Sequence, residues 1–297
     1  MSSVVTPSYS RDYLNREDWL TARKGGIGGS DAAAILKKSK WDSPWSVWAE
    51  KVGVFRKQIE EQYLVIGKLM EPVLMKLYKM DTGCNVANPG DFRIFWGSEG
   101  YQFATIDMID DAGIIVEGKT AGGGAGEDWK GGPPLAYQIQ VQHQMKVMEA
   151  GRARIAVLFG SPYFHFRIYE VDRNDRFIDL MTSVQGEFWS LVETGIPPEV
   201  DGSEATSGVL RSLSREEGKV IEFDPAVLLD LDRQREDAKA QIEYYSDIRA
   251  KAENSIKALM GDAEIALVNG AKVYSFKADS NGTRRFLRTL KTRGLPV

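Results

Sequence analysis

The stretch GIIVEGKTAGGGAG, residues 113–126, decides the fold. It opens with a formal match to G-x-x-x-x-G-K-[ST], the phosphate-binding loop of many nucleotide-binding proteins. Such a loop needs a strand before it, a flexible run of backbone N–H groups, and a helix whose N-terminus faces the phosphates. Here the four intervening residues are Ile114, Ile115, Val116 and Glu117. Three β-branched residues in a row form strand, not a phosphate cradle. After Thr120 comes Ala-Gly-Gly-Gly-Ala-Gly, which does not start a stable helix. The context is inverted, so no ATP site is expected.

Read as a strand, the same residues suggest other chemistry. Glu117 and Lys119 lie two apart and share a face. A charged pair at the end of so apolar a strand is unusual. It is either a structural ion pair or a metal ligand beside a catalytic cation. The preceding stretch YQFATIDMID, residues 101–110, reads as another strand, and the turn around Asp110-Asp111-Ala112-Gly113 joins the two. A hairpin of this length brings Asp107 near Glu117. Adjacent carboxylates repel unless they share a divalent cation. Lys119 would then stabilise an attacking hydroxide or a charged pentacovalent phosphate. This is the logic of metal-assisted phosphodiester hydrolysis, with one or two ions held by hard oxygen ligands.

Outward from this hairpin, residues 1–15 read as a loose leader, followed by a loop and a helix with Ser30 at its N-cap and Asp31 in its first turn. A short helix starts at Pro44 and stops at Gly53. Residues 59–82 carry a helical period through Ile59, Tyr63, Ile66, Met70, Leu74, Leu77 and Tyr78. FRIFWG is a strand before the hairpin. After the glycine-rich loop, a helix begins at Pro133-Pro134, then come strands ARIAVLFG and YFHFRIYEV and a helix over 174–194. A polar linker is expected over 201–224, then a long helix over 225–260 and short strands EIALVNG, KVYSFKA and RRFLRTL. The domain reading is a catalytic unit over 1–200, the linker, and a C-terminal extension over 225–297.

The chain of 297 residues has 43% hydrophobic and 27% charged residues, an ordinary soluble composition. Its single cysteine, Cys84, rules out an internal disulfide and suits a reducing cytoplasm. No run resembles a signal peptide or a membrane span. The net charge of −4 excludes a nonspecific polycation, yet Lys272 to Val297 holds seven basic residues against one acid, Asp279. Arg23, Lys24, Lys37, Lys38 and Lys40 form a second basic stretch. Solvated faces are the plain reading of both clusters.

The spacing of Asp107 and Glu117-Gly118-Lys119 resembles the PD-(D/E)xK nuclease core. Within that superfamily the chain resembles the YqaJ-type viral recombinases, the group that includes phage lambda exonuclease. Four further blocks carry the resemblance: Arg23 to Asp31, Gly67 to Pro72, Ala104 to Asp107, and Tyr137 to Gln142. They hold their order from about residue 20 to 195. Thr105 stands where serine is usual, and Ile106 replaces a proline; neither side chain would be a ligand. The tail beyond about residue 200 is poorly covered.

The resemblance implies an α/β, restriction-endonuclease-like fold: a central mixed sheet flanked by helices, here with a C-terminal helical and short-strand extension. It implies metal ligation by Asp107, Glu117, the Gly118 carbonyl and Glu71, with Lys119 as catalytic lysine and Gln140 as the active-site glutamine. It assigns Arg23, Ser30 and Thr105 to a pocket for the 5′-phosphate of the digested strand. The implied cofactor is Mg²⁺, with Mn²⁺ an alternative, one or two ions per site. The implied activity is 5′→3′ digestion of linear duplex DNA, leaving a 3′ tail, by a phage- or prophage-encoded cytoplasmic enzyme. The implied partners are duplex DNA ends, a phage single-strand annealing protein and, in a ring, two further copies of the chain. The alternatives are an endonuclease of the same fold and a non-catalytic DNA-binding accessory protein; the intact Asp107, Glu117 and Lys119 set speaks against the latter.

Plainer readings stand beside these. Glu71 alone is an ordinary surface acid on a helix, and Gln140 a solvent-facing amide. Trp41, Trp45 and Trp48 are core by default, with stacking on an unpaired base the lesser reading. His143 and His165 are isolated, so neither suggests zinc or a hydrolytic triad.

Overall fold

The computed structural model describes residues 9–55, 61–122, 128–160, 164–213 and 218–289. They fall into two compact units, divided between Arg215 and Glu216.

The first unit is built on a mixed sheet in the order β2–β5–β6–β7–β8 (Val86–Ala87, Met108–Asp110, Ile115–Ala121, Arg152–Phe159, His165–Asp172). β6 and β7 run parallel and the other neighbours antiparallel. The stretch matching the phosphate-loop pattern is strand from Ile115 through Ala121. The parallel step requires a crossover, and α5 (Leu135–Met148) supplies it. β6 is covered on both faces. Ile115 packs in the cluster containing Val141 and Met145 of α5. Val116 packs with Leu74 and Tyr78 of α4 (Glu61–Thr82) and with Met108. Burying Ile115 and Val116 stabilises the sheet by about 1.5–3 kcal/mol each. Alternation therefore sends Glu117 and Lys119 to the α5 face.

The expected α4 is present and ends at Gly83, which adopts a left-handed φ of 76°. Leu74 and Tyr78 in its later turns are buried, whereas Ile66 is exposed. Ile59 lies outside the described residues.

The leader expected over 1–15 is partly structured. Tyr9–Asp12 forms β1, paired with β3 (Arg93–Trp96), and α1 spans Arg16–Arg23 behind an Asn15 cap. YQFATIDMID is not one strand. Phe103–Ala104 (β4) pairs with β3 in a separate small sheet, and only Met108–Asp110 (β5) joins the main one. The chain changes sheets over Thr105, Ile106 and Asp107.

α2 spans Gly29–Ile35 with Gly28, not Ser30, at its N-cap; the Asp31 carboxylate accepts the Gly28 N–H at 2.9 Å. A Cβ on Gly28 would lie 2.9 Å from the Phe103 ring, which excludes the larger capping residues there. α3 (Pro44–Lys51) has a Ser43 cap and buries Trp45 and Trp48. α6 (Asp175–Thr194) packs Phe188 into the same cluster. The stretch expected to be linker holds α7 (Glu204–Ser212). Its Val209 is buried in that cluster, and the Thr206 and Ser43 hydroxyls are hydrogen-bonded at 2.8 Å. Burial of one apolar edge outweighs its polar composition.

The second unit has α8 (Pro225–Met260) and an antiparallel sheet β9–β10–β11 (Ile265–Val268, Ala271–Ala278, Arg284–Arg288). Part of its basic charge is used internally. Arg284 donates to the carbonyls of Gly261, Ala263 and Phe276, and Lys277 pairs with Glu264 at 3.6 Å. Among the described residues no helix is long and apolar enough to cross a membrane.

Candidate active site

The site lies where the chain leaves one sheet for the other. In the β5–β6 hairpin Met108 pairs with Val116 and Ile109 with Ile115, so one step back sets Asp107 against Glu117. Asp107 replaces a backbone partner at this point: its Oδ2 accepts the Gly118 N–H at 3.0 Å. In a strand the N–H and C=O of one residue project to the same edge, so the Gly118 carbonyl also faces β5. Space at Gly118 is tight: a Cβ would meet the Leu74 side chain at 3.0 Å and the Met108 side chain at 3.1 Å.

Glu117 is 3% exposed and saturated with donors. Lys119 Nζ donates to its Oε1 at 2.5 Å, and Gln140 Nε2 to the same oxygen at 2.6 Å. Gln144 Nε2 donates to Oε2 at 2.6 Å and to the Thr105 carbonyl at 3.3 Å. Gln140 and Gln144 stand four residues apart on α5 and therefore share a face. The crossover helix thus aims two amides at one carboxylate. Gln144 is not singled out in the sequence, where only its place one turn after Gln140 could have pointed to it. The Tyr137 ring, one turn earlier, lies 4.8 Å from Lys119 Nζ.

Electrostatics follow from the packing. Loss of water and the charge of Glu117 push the Asp107 carboxyl up to about 7, against the pull of Lys119 and the Gly118 N–H. Burial would lower the Lys119 ammonium, but the charges of Glu117 and Asp107 prevail and raise it. Two adjoining carboxylates, a carbonyl edge and no soft ligand make a donor set suited to a hard divalent cation. The mutual repulsion recorded at Asp107 is what a cation would relieve.

Glu71 does not join them. Among the described residues no group of three or more His, Cys, Asp or Glu side chains is close enough to hold a metal. Glu71 rides on α4, which packs the Val116 face of β6, whereas Glu117 projects to the α5 face. Lys68, one turn earlier, draws it aside at 2.8 Å and also binds Asp91 at 2.6 Å. Glu71 still acts on Asp107 through space, raising its pKa.

The three residues read as a phosphate pocket border the same junction. The Arg23 guanidinium lies over Trp19 at 4.5 Å and 5.7 Å from the Phe103 ring. Burial lowers its pKa, opposed by Asp31 and Glu50. Ser30 is exposed in the first turn of α2, and the neighbouring Gly29 abuts Gln140. Thr105 is half-buried, with its carbonyl on Gln144. Among the described residues no hydrogen bond joins these three side chains directly.

Lys51 has no sequence signal either. Its side chain is 5% exposed; Nζ binds Asp31 at 2.7 Å and donates to the Arg23 carbonyl at 3.0 Å. It thereby clamps both ends of the loop that carries Arg23 and Ser30. Burial would raise the Asp31 carboxyl, but Lys51 and Arg23 hold it below its usual range. His143, fully buried in α5, donates Nε2–H to the Phe103 carbonyl at 2.9 Å and accepts from Gln185 at 3.1 Å through Nδ1. The carbonyl can only accept, which fixes the tautomer. This ring ties α5 to β4 and α6 rather than to any chemistry.

A model of the YqaJ-like viral recombinase domain matches residues 18–152. The uncharacterised protein YqaJ of Bacillus subtilis (strain 168) is 33% identical over 271 residues, covering 86% of this chain and 81% of that relative. An alkaline exonuclease (LHK-Exo) from Laribacter hongkongensis superposes with a TM-score of 0.51 at 21% identity, over 61% of this chain and 94% of its own. LHK-Exo in complex with dAMP gives a TM-score of 0.52 at 20% identity, with the same coverage. At these identities the solved structures establish the shared fold.

Proposed function

Because the chain belongs to the YqaJ-like viral recombinase family, we propose that it is a divalent-metal-dependent deoxyribonuclease of recombination. In this reading it is an exonuclease that digests one strand of linear duplex DNA from the 5′ end and leaves a 3′ single-stranded tail. The family and the fold shared with an alkaline exonuclease support a nuclease acting in recombination. The finer reading rests on one observation: Asp107 and Glu117 meet at the sheet change with Lys119 and two amides of α5 on the same carboxylate.

Asp107, Glu117 and the Gly118 carbonyl would hold the ion, with Glu71 reaching it only through water or after release from Lys68. When bound, Mg²⁺ supplies charge neutralisation at the scissile phosphate and eases loss of a proton from water. The protein's own groups do the rest. The Lys119 ammonium stabilises charge that builds on the phosphate. Gln140 Nε2, freed from Glu117, orients the water or the strand end. Arg23 offers a planar fork to the terminal 5′-phosphate. Ser30 and Thr105 supply hydroxyls beside it.

The test uses end-labelled linear duplex, with and without a 5′-phosphate, in Mg²⁺ and in EDTA. Metal-dependent release of mononucleotides that favours the phosphorylated end is expected. Digestion that survives both Lys119→Ala and Asp107→Ala would refute the site, and nicking of closed circles would point to an endonuclease. A single-strand annealing partner and a ring of three copies belong to the same proposal, tested by co-purification and by mass in solution.

A further inference from the structure

Three tryptophans crowd α3 and the loop before it, and the fold treats them differently. Trp45 and Trp48 are 7% exposed and belong to the core, whereas Trp41 is 58% exposed. A large aromatic left this open is informative where a scattered leucine would not be. The ring is also held in place. Ser39 Oγ accepts the N–H groups of Trp41 and Asp42, both at 3.1 Å, and the Lys40–Asp128 pair at 2.7 Å ties the loop to the segment before Trp129. One face of the Trp41 indole lies on Tyr137, with ring centroids 6.1 Å apart and planes 25° from parallel.

Tyr137 is the ring that faces Lys119, at 4.8 Å, and it also packs on the buried Trp129 at 5.5 Å. A ladder of three rings therefore runs from the core, past the Lys119 ammonium, into water. Lys37, Lys38 and Lys40 are exposed on the same loop as Trp41. An exposed indole among ammonium groups is a poor seat for an apolar protein partner, since lysine is depleted from interface cores. It suits a flat, aromatic, anionic ligand.

We propose that Trp41 is a nucleobase-stacking subsite. Its open face receives a base of the DNA strand entering the site, while Lys37 and Lys38 attract the flanking phosphates. The inference rests on the nuclease reading above. Stacking on an indole tolerates any sequence because every base has a π-face. Tyr137 links the stacked base to the Lys119 ammonium, so the subsite would hold a strand end in register with the catalytic groups.

The experiment measures anisotropy in EDTA with a 5′-phosphorylated duplex whose last three nucleotides on each strand are unpaired. It compares this duplex with one carrying abasic residues at those positions. The full-length protein is expected to prefer the base-bearing end by roughly five- to hundredfold, the range that loss of one base–aromatic stack produces. Trp41→Ala should bind both ends as the wild type binds the abasic one. Trp41→Phe should keep most of the preference. 2-Aminopurine in the frayed positions should be quenched by the wild type and not by Trp41→Ala. Loss of the contact with Tyr137 should lower the melting temperature of Trp41→Ala by no more than about a few degrees, and Trp41→Phe should melt near wild type. A Trp41→Ala protein that retains the preference and the quenching would overturn the proposal, as would one that loses affinity equally for both ends. Failure of the wild type to bind either duplex, with no metal-dependent digestion, would instead defeat the nuclease reading beneath it.

Discussion

Replacing Gln144 by leucine should separate fold stability from cation affinity. Both acceptors around its amide, Glu117 Oε2 at 2.6 Å and the Thr105 carbonyl at 3.3 Å, require the NH₂ group to point their way. The other amide atom, Oε1, is consequently buried without a partner. Two effects therefore oppose each other. A hydrogen bond to a charged group contributes about 1.5–3 kcal/mol, and an unsatisfied buried acceptor costs about 1–3 kcal/mol. Leucine has a similar volume and removes both, but it leaves Glu117 Oε2 and the Thr105 carbonyl without this donor, so the cation-free protein should be less stable by about 1–3 kcal/mol. Cation affinity has no such compensation. Glu117 would lose the donor that fixes Oε2, and loss of a hydrogen bond behind a ligating carboxylate typically weakens binding about 10- to 100-fold. Thermal melts across a Mn²⁺ titration, with calorimetry as the second measurement, check both halves. A leucine variant whose titration midpoint matches wild type would refute the positioning role. A cation-free variant as stable as wild type would show that the unpartnered Oε1 cancels the bond to Glu117.

The carboxylate pair should make the cation-free protein pH-sensitive. Asp107 is raised from 3.8 to about 7, so the folded state keeps a proton that the unfolded chain gives up. Its stability should fall as pH rises from about 4 to about 7, and Mg²⁺ should flatten that slope; urea melts at several pH values with and without the ion test this. His143 has the opposite sign: burial depresses it below 6.5, so stability should fall as pH drops through that value, and His143→Gln should remove this part of the dependence. Lys119→Gln should reduce turnover by about 10²–10³, as for other lost transition-state donors, and lower the melting temperature of the cation-free protein by leaving Glu117 without its cation; near-normal turnover would remove Lys119 from the chemistry. Arg23→Gln should weaken discrimination for a 5′-phosphorylated end by roughly tenfold or more, measured as the ratio of rates on the two ends, while leaving the metal requirement intact.

Local chemistry made the hairpin legible. The β-branched run predicts buried strand, which holds for Ile115 and Val116, and a short turn then leaves Asp107 little choice but to approach Glu117. What was not legible depends on partners distant in the chain. A period of two in YQFATIDMID cannot say that Phe103 pairs with Trp96 in one sheet while Met108 pairs with Val116 in another. Capping preference favours Ser30, but the Phe103 ring and the Asp31 carboxylate make Gly28 the cap. The polar segment 204–212 becomes a helix because Val209 and Thr206 find α3. Trp41, Trp45 and Trp48 share one composition and two environments. Lys51 and Gln144 acquire meaning only when a tertiary contact brings Asp31 or Glu117 within reach.

The sheet change itself explains why the candidate site sits where it does. A strand that leaves its ladder strands backbone donors, and a buried N–H without an acceptor costs free energy comparable to a lost hydrogen bond. Asp107 fills that gap by accepting the Gly118 N–H through Oδ2. Its carboxylate is thereby fixed by the backbone of the neighbouring strand rather than by a flexible side chain. Glu117 is fixed from the opposite side, by the two glutamines that the parallel crossover must bring over β6. Two like charges are thus held together by constraints the fold already needs, which is why neither relaxes away from the other. Lys119 is the only cation bonded to the pair among the described residues, and it reaches Glu117 alone. The unbalanced charge remains on Asp107, which takes a proton near neutrality when no cation is present. In the proposed reading, a divalent ion would bind by relieving a strain built into this topology.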